Sequence, residues 1–407
     1  MGYTKDAVSG LTWMGTFRLV TRIFGYLRIA VLARLLTPVQ FGLFGIASLV
    51  LSLLEKLTQT GINVVLMQEK DDIEKYVDTA WVVSIVRGTI VALIIVAFTP
   101  FVVRFFNAEG AYVLLLLVAL VAFIRGFINP ARVTYLKNLE FKKEFLFSTG
   151  IFFLDAIVAI TIALIYKTPA SLVWGLIAGA ILEVFMSHIF MEPKPKLKFD
   201  MSRFKLILRR GKWVTGSVIF DYFFSEGDDM VVGKILNTQA LGVYQMAYKI
   251  SILPLTEVTK IVNQVSFPVY TRIEGDRERL KKAYLKITLG ISALVLPIGV
   301  ILFAFPHYVV YFILGDQWYE AVPIIRLLAA FGVIRALTAS TSSLFNAVKK
   351  QDYVTYYTLA SLIVLAILIV PLTAKDGIFG AATAALIGSF AAIPIILLNL
   401  KKLLSKY

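Results

Sequence analysis

The chain has 407 residues, 58% of them hydrophobic and only 16% charged, with 41 Lys and Arg against 26 Asp and Glu for a formal charge of +15. No water-soluble core of this size can hide so many apolar side chains, so a soluble globular protein is excluded and an all-α membrane protein is predicted. The absence of cysteine excludes disulfides and thiolate chemistry, and the two isolated histidines, His188 and His307, make no metal-ligand pair.

Apolar runs long enough to cross about 30 Å of hydrocarbon recur along the whole length, and about twelve transmembrane helices are predicted. In chain order they cover 11–36, 41–63, 79–104, 111–135, 145–166, 170–191, 213–235, 241–268, 283–305, 321–347, 352–372 and 377–399. The runs are continuously apolar instead of alternating, which favours helices over a barrel. With a cytosolic N-terminus, Lys and Arg in the connections favour the cytosolic side by about five to one, as the positive-inside rule requires. The positive charge is therefore a topology signal, and a nucleic-acid partner is set aside. Both termini are expected in the cytosol, in a plasma (inner) membrane. Met1 to Gly10 lead straight into a full-length span with no small-residue cleavage site, so no cleavable signal is expected.

Sliding the chain against itself by 200 residues brings Trp13 onto Trp213, Leu36 onto Leu236, Gly42 onto Gly242 and Asn63 onto Asn263. Several matches in one gapless register predict two six-helix lobes, 1–192 and 212–407, related by duplication. Between them, 193–211 lies within the basic stretch "PKPKLKFDMSRFKLILRRGK", where Phe199, Phe204, Ile207 and Leu208 are interleaved with Lys and Arg. That pattern predicts a linker helix lying on anionic lipid headgroups; a solvated linker without lipid contact is the alternative.

Five stretches, "LARLLTPVQFGLF", "GINVVLMQ", "YLKNLEFKKE", "DDMVVGKILNTQALGVYQMAYKI" and "SLFNAVKKQD", together resemble the Wzx-type O-antigen and polysaccharide flippases of the multidrug/oligosaccharidyl-lipid/polysaccharide (MOP) exporter superfamily. The resemblance runs over almost the full chain. It implies twelve helices in two lobes around a central cavity, and movement of a lipid-linked oligosaccharide of the polyprenyl pyrophosphate type to the outer leaflet by alternating access, by a monomer.

Such a substrate carries an anionic pyrophosphate and a hydroxyl-coated glycan, neither of which crosses hydrocarbon unaided, so a wet cationic interior is needed. Arg18 and Arg22, four residues apart, share one face of the first span. Arg125, Asn129 and Arg132 recur at helical spacing in the fourth span, and Arg87 lies early in the third. Arg18, Arg22, Arg87 and Arg125 are the candidate pyrophosphate ligands, because a guanidinium fork binds phosphate bidentately and stays charged. The alternative is that these arginines snorkel to headgroups or pair with acids between helices. Arg132, near a span end, is expected at the interface.

"FDYFFSEGDDMVVGK" gathers Asp221, Glu226, Asp228 and Asp229 around the seventh span. Three roles stay open for this cluster: a coupling site for a proton or sodium ion, a gate in which Asp228 meets Arg28, its partner in the 200-residue register, and plain solvent exposure. Gln59, Asn63, Asn129, Asn263 and Arg335 are the candidate glycan-lining residues, in stripes that also hold Glu55, Thr256, Lys260, Thr338 and Ser342. Tyr222, Tyr244, Tyr248 and Trp213 are candidates to stack on sugars or to populate interfacial belts. Pro254, Pro268, Pro297, Pro323 and Pro394 are expected to bend spans.

No nucleophile–base pair, metal cluster or nucleotide motif is present, so neither an enzyme nor ATP-driven transport is expected and no cofactor is predicted beyond a coupling ion. The competing function is a multidrug or organic-cation antiporter of the same superfamily, which would favour an acidic or aromatic pocket over buried arginines.

Overall fold

The computed structural model describes residues 23–58, 62, 66, 73–138, 140–205, 222 and 225–404, the side chains at 261, 264, 265 and 404 excepted. Their regular structure is all helical, with no strand among them. They form two compact units, Met1–Gly227 and Asp228–Tyr407, whose division falls downstream of the linker at 193–211 expected from composition.

In the first unit, α1 (23–35) ends at a break over Leu36 and Thr37. α2 (Pro38–Leu57) follows because "TPVQ" closes a full capping box: the Thr37 hydroxyl accepts from the Gln40 N–H, the Gln40 side chain accepts from the Thr37 N–H, and Pro38 occupies the first turn. α3 (Glu74–Phe106) has 33 residues, about 50 Å of helix. Val86, Ile90, Leu93 and Phe101 form an exposed apolar stripe on it, as expected of a helix whose solvent is lipid. α4 (Tyr112–Arg125) packs on α3 backbone to backbone: a Cβ on Gly88 would lie 2.8 Å from the Ala122 carbonyl and 2.9 Å from the Gly126 Cα.

The fourth span differs from expectation. Instead of one helix over 111–135, α4 stops at Arg125 and the chain turns by 73° into a 3-10 turn, Pro130–Arg132, and α5 (Val133–Lys137). The reason is local: Asn129 caps Ala131 N–H with its side chain, and Pro130 opens the new turn. α6 (Phe141–Tyr166) and α7 (Ala170–Phe190) follow and pack closely on one another.

After α7 the chain is non-helical from Met191 to Asp200, and helix resumes at Met201. This corrects the expectation of one helix over 193–211. The segment is tied to the start of α3: Lys196 N–H donates to Asp78 Oδ1 at 2.7 Å, Asp200 N–H to Thr79 Oγ1 at 3.2 Å, and the Arg203 guanidinium to the Lys75 carbonyl. Phe204, expected to face lipid, instead packs with Ile73 and Tyr76 against Ala80, Val83 and Val133. Ile207 and Leu208 lie outside the described residues.

The second unit begins within α8 (225–235), which leads through Leu236 and Asn237 into α9 (Thr238–Arg272), capped by the Asn237 side chain. This joint repeats the α1–α2 joint 200 residues earlier. Leu36 N–H bonds to Leu32 and Leu236 N–H to Val232; Phe41 N–H bonds to Thr37 and Leu241 N–H to Asn237. α10 (Arg277–Ala304) is followed by α11 (Pro306–Ile313) and a 3-10 turn, Asp316–Ala321, two short elements that hydropathy did not separate from the spans. α12 (Val322–Ala347) carries Pro323 in its first turn, so that proline starts a helix and does not bend one. α13 (Gln351–Leu404) consists of two arms broken at Asp376 and Gly377, where φ 60° and ψ −140° at Gly377 demand glycine. Leu255, Ile291, Val295 and Ala336 form a core where α9, α10 and α12 meet, and Phe345, Tyr357, Ala392 and Ile396 join α12 to both arms of α13.

Seven helices among the described residues are long and apolar enough to cross a membrane, or eight with the bent pair. The expected twelve also include α1 and α8, described only from residues 23 and 225, the more polar α9, and the second arm of α13. The chain is a multi-pass membrane protein.

Glycines set the closest helix approach. A Cβ on Gly175 of α7 would meet Asp155 Oδ1 at 2.3 Å and the Asp155 carbonyl at 2.7 Å, whereas one on Gly290 of α10 meets nothing within 4 Å. Gly175→Ala is therefore expected to destabilise the protein by about 1–3 kcal/mol, and Gly290→Ala to stabilise it by about 0.5–1 kcal/mol. Unfolding in detergent measures both, and equal effects would contradict the packing described.

Candidate functional site

Each unit carries its own cluster of polar groups between apolar helices, and the two differ in sign. In the first unit the cluster is ionic. Arg28 of α1 reaches α6, where its Nη2 donates to Asp155 Oδ1 at 2.8 Å, with both side chains largely buried. Arg28 Nε is buried without a hydrogen bond. Arg125, the last residue of α4, donates through Nη1 to Glu55 Oε1 of α2 at 2.9 Å, and these side chains remain 34% and 27% exposed. Arg87 of α3 lies within electrostatic reach of both Glu55 and Arg125, and Asp155 feels Arg125 as well as Arg28.

Among the described residues, three guanidinium groups thus face two carboxylates. In a setting of low dielectric that imbalance calls for a further anion, because an unpaired charge there costs several kcal/mol. Arg125 is the accessible member, with one edge held by Glu55 and part of the side chain open. A planar fork held along one edge still has N–H groups to offer an incoming phosphate.

Of the expected pyrophosphate ligands, Arg87 and Arg125 are thus brought together around Glu55, while Arg18 and Arg22 lie outside the described residues. Glu55, expected in a sugar-facing stripe, is instead the partner of Arg125. Gln59 and Asn63 of that stripe lie outside the described residues. Asn129 is corrected: fully buried, its amide donates to the carbonyls of Ser187 and Pro193 and its oxygen caps Ala131, leaving no group for a glycan. Within the first unit the carboxylate that Arg28 meets is Asp155, a pairing the sequence did not suggest. Arg132, expected at the interface, has partners within the protein. It is clamped by Glu144 and Glu183 and lies 4.8 Å from the Phe147 ring centroid, bolting the bend after α4 to α6 and α7.

Asp155, Glu144 and Glu183 were missed by the sequence reading. The signal for Asp155 was present: a lone carboxylate inside "GIFFLDAIVAITIALIY" needs a cation at the same depth.

In the second unit the cluster is acidic and phenolic. Asp228 Oδ2 accepts from the Tyr244 hydroxyl at 2.9 Å and Oδ1 from the Asp229 N–H at 3.0 Å, while Asp229 Oδ2 accepts from Gln245 Nε2 at 2.7 Å. One turn on, the Tyr248 hydroxyl accepts from Arg335 Nη1 at 2.8 Å, and Arg335 acts electrostatically on Asp228. Asp228 and Asp229 are both buried, so plain solvent exposure does not describe them. Asn263 Nδ2 donates to the Ala339 carbonyl at 3.2 Å, linking α9 to α12, and its Oδ1 is buried without a hydrogen bond. Asp221 lies outside the described residues. In the first unit, the Tyr222 hydroxyl donates to the Leu49 carbonyl, so its polar end is already used.

The family described as "Polysaccharide biosynthesis protein" matches residues 31–323. The chain belongs to that family. It is 22% identical over 354 residues to the lipopolysaccharide biosynthesis protein WzxC of Escherichia coli K12, covering 86% of this chain and 72% of that protein. With the teichuronic acid biosynthesis protein TuaB of Bacillus subtilis it shares 22% identity over 375 residues, 89% of this chain and 75% of that protein. Among solved structures, the lipid II flippase MurJ in an inward closed conformation superposes with a TM-score of 0.80 at 16% identity, over 95% of this chain and 87% of that one. An inward-facing multidrug resistance MATE transporter of the MOP superfamily gives 0.70 at 16% identity, over 93% and 94%. The polysaccharide-family chain described here therefore has the MOP transporter fold expected from its motifs.

If Asp155 neutralises Arg28 in an apolar setting, removing one partner is worse than removing both. Asp155→Ala is expected to cost about 3–5 kcal/mol of stability, and the double variant Arg28→Met/Asp155→Leu to recover most of that loss. Denaturation of the three proteins in detergent tests this. A double variant no more stable than Asp155→Ala would show that the pair is not coupled.

Proposed function

We propose that the protein is a flippase for a lipid-linked oligosaccharide in surface polysaccharide assembly, moving a polyprenyl-pyrophosphate glycan from the cytosolic to the outer leaflet by alternating access. The observation that carries this reading is the surplus guanidinium in the first unit: among the described residues, Arg87 and Arg125 share one carboxylate, Glu55, and leave positive charge uncompensated inside an apolar helix bundle. A pyrophosphate supplies the missing anion. Its lipid tail has no need to leave the bilayer, so the protein has only to shelter the charged and hydroxylated head.

Family membership supports the substrate class, as does the naming of similar proteins after lipopolysaccharide and teichuronic acid biosynthesis. On this reading the protein is a transporter without enzymatic activity and without a resident cofactor. It sits as a monomer in the plasma membrane with both termini in the cytosol.

The acidic cluster of the second unit is assigned to coupling. Asp228 is held by a neutral phenol and a backbone N–H, a setting in which a proton or a sodium ion on the carboxylate relieves the cost of burying its charge. Occupancy biases the transport cycle if the ion prefers one of the two states. The same cluster, with Tyr244, Tyr248 and Phe331 beside acids, is the feature that favours an organic-cation antiporter, the second reading.

Arg87→Ala and Arg125→Ala, together with Arg18→Ala and Arg22→Ala, are expected to lower surface polysaccharide at least tenfold, about 1.4 kcal/mol or more of lost stabilisation, with folded protein at normal level. Arg125→Lys should fall between, keeping the charge but losing the fork. Unimpaired export in all of them would remove the proposal, and extrusion of organic cations by the same variants would favour the second reading. Asp228→Asn is expected to lose dependence on an imposed proton or sodium gradient. Undiminished dependence would place coupling elsewhere.

A further inference from the structure

The segment following α7 carries a feature that substrate transport does not use. Lys198 N–H donates to the Lys196 carbonyl at 2.7 Å, closing a tight turn with Leu197 at its tip. Leu197 is 77% exposed, more than any other large apolar side chain among the described residues, and Phe199 beside it is 51% exposed. Lys194, Lys196 and Lys198 are all exposed, and the Lys196 and Lys198 ammonium groups make no ion pair among the described residues.

Such a tip is unfavourable in water, and its depth explains what it is for. α3 is about 20 Å longer than the hydrocarbon it crosses; its exposed large apolar side chains begin only at Val86, and Glu74 and Lys75 are exposed in its first turn, which puts that end at headgroup level. The bonds from the segment to Lys75, Asp78 and Thr79 fix the tip at that level. Asp200 locks the far side: its carboxylate accepts from the Ser202 hydroxyl and from the Ser202 and Arg203 N–H groups, which hold its carboxyl below the usual carboxylate range. Because that value is lowered on folding, the cap is complete above about pH 4 and is lost only as the pH falls through the lower folded value. At neutral pH the segment is therefore fastened. On the side of α7, Phe185, Ile189 and Phe190 continue the exposed apolar surface down to it.

We infer that residues 194–199 form an anchor for anionic phospholipid, with Leu197 and Phe199 entering the acyl boundary and Lys194, Lys196 and Lys198 on lipid phosphates. The occupant is set by charge and depth together: apolar tips flanked by the Lys196 and Lys198 ammonium groups, with Lys194 held only at 3.8 Å from the exposed Glu192, fit a bilayer surface carrying negative charge. This site is independent of the transport reading, since it faces lipid outside the cluster of Arg87 and Arg125.

The chain contains no cysteine, so Leu197→Cys, and separately Phe199→Cys, takes a single nitroxide without background. Label depth is read in nanodiscs of phosphatidylcholine with and without phosphatidylglycerol, by comparing collisions with oxygen and with a water-soluble nickel chelate. In anionic discs the label is expected to favour oxygen, and adding Lys194→Gln, Lys196→Gln and Lys198→Gln is expected to reduce that preference about tenfold. A label that stays in water in both lipid compositions overturns the inference. So does a depth indifferent both to phosphatidylglycerol and to the three lysines. Transport is not the readout, so failure here and failure of the flippase reading are separate results.

Discussion

A guanidinium cannot be left alone between apolar helices. In water its charge is solvated at no structural cost, but in hydrocarbon it must find a carboxylate, a polar cavity or an anionic ligand. This constraint organises the first unit. Arg28 draws Asp155, Arg125 draws Glu55, and Arg132 draws Glu144 and Glu183, so that α1, α2, α4, α6 and α7 are tied by charge where hydrophobic attraction supplies no net drive between helices. Among the described residues Arg87 has no carboxylate of its own and shares Glu55 with Arg125.

The second unit solves the same problem with the opposite sign and weaker charges. Its buried acids are held by Tyr244 and Gln245, and Arg335 rests on Tyr248. Further along α12, Ser340, Thr341 and Ser343 exchange hydroxyl bonds with Thr288, Tyr284 and Ser266 on neighbouring helices. Neutral hydroxyls bond across helices without the desolvation cost of ions, so such contacts are made and broken more readily than salt bridges. The joints at Thr37 and Asn237 thus share backbone geometry while the side-chain chemistry of the two units differs.

Much of the fold was legible in the sequence because lipid imposes a length and a polarity on every span. The limits of α6, α7, α9 and α12 fall within a few residues of expectation, and the 200-residue register anticipated the paired joints. The bend after α4 was missed although "INPA" spells a cap followed by a helix-starting proline; a hydropathy window averages over such a signal. The site was legible in part. Arg87 and Arg125 were found as intramembrane cations, but their partners were not, since pairing between helices distant in sequence depends on packing that spacing does not encode. Asn129 shows the converse: correct helical spacing to Arg125 suggested a lining residue, and the break in the helix turned it into a cap.

The central claim, that the unbalanced guanidinium cluster is a receptor for pyrophosphate on a lipid, is tested most directly by equilibrium binding to the purified protein. A short-chain polyprenyl pyrophosphate is titrated against wild type, Arg87→Ala and Arg125→Ala, with the uncharged polyprenol as control. The account predicts that the pyrophosphate binds, that the alcohol does not compete, and that each substitution weakens binding at least tenfold. Equal affinity in all three proteins would contradict it.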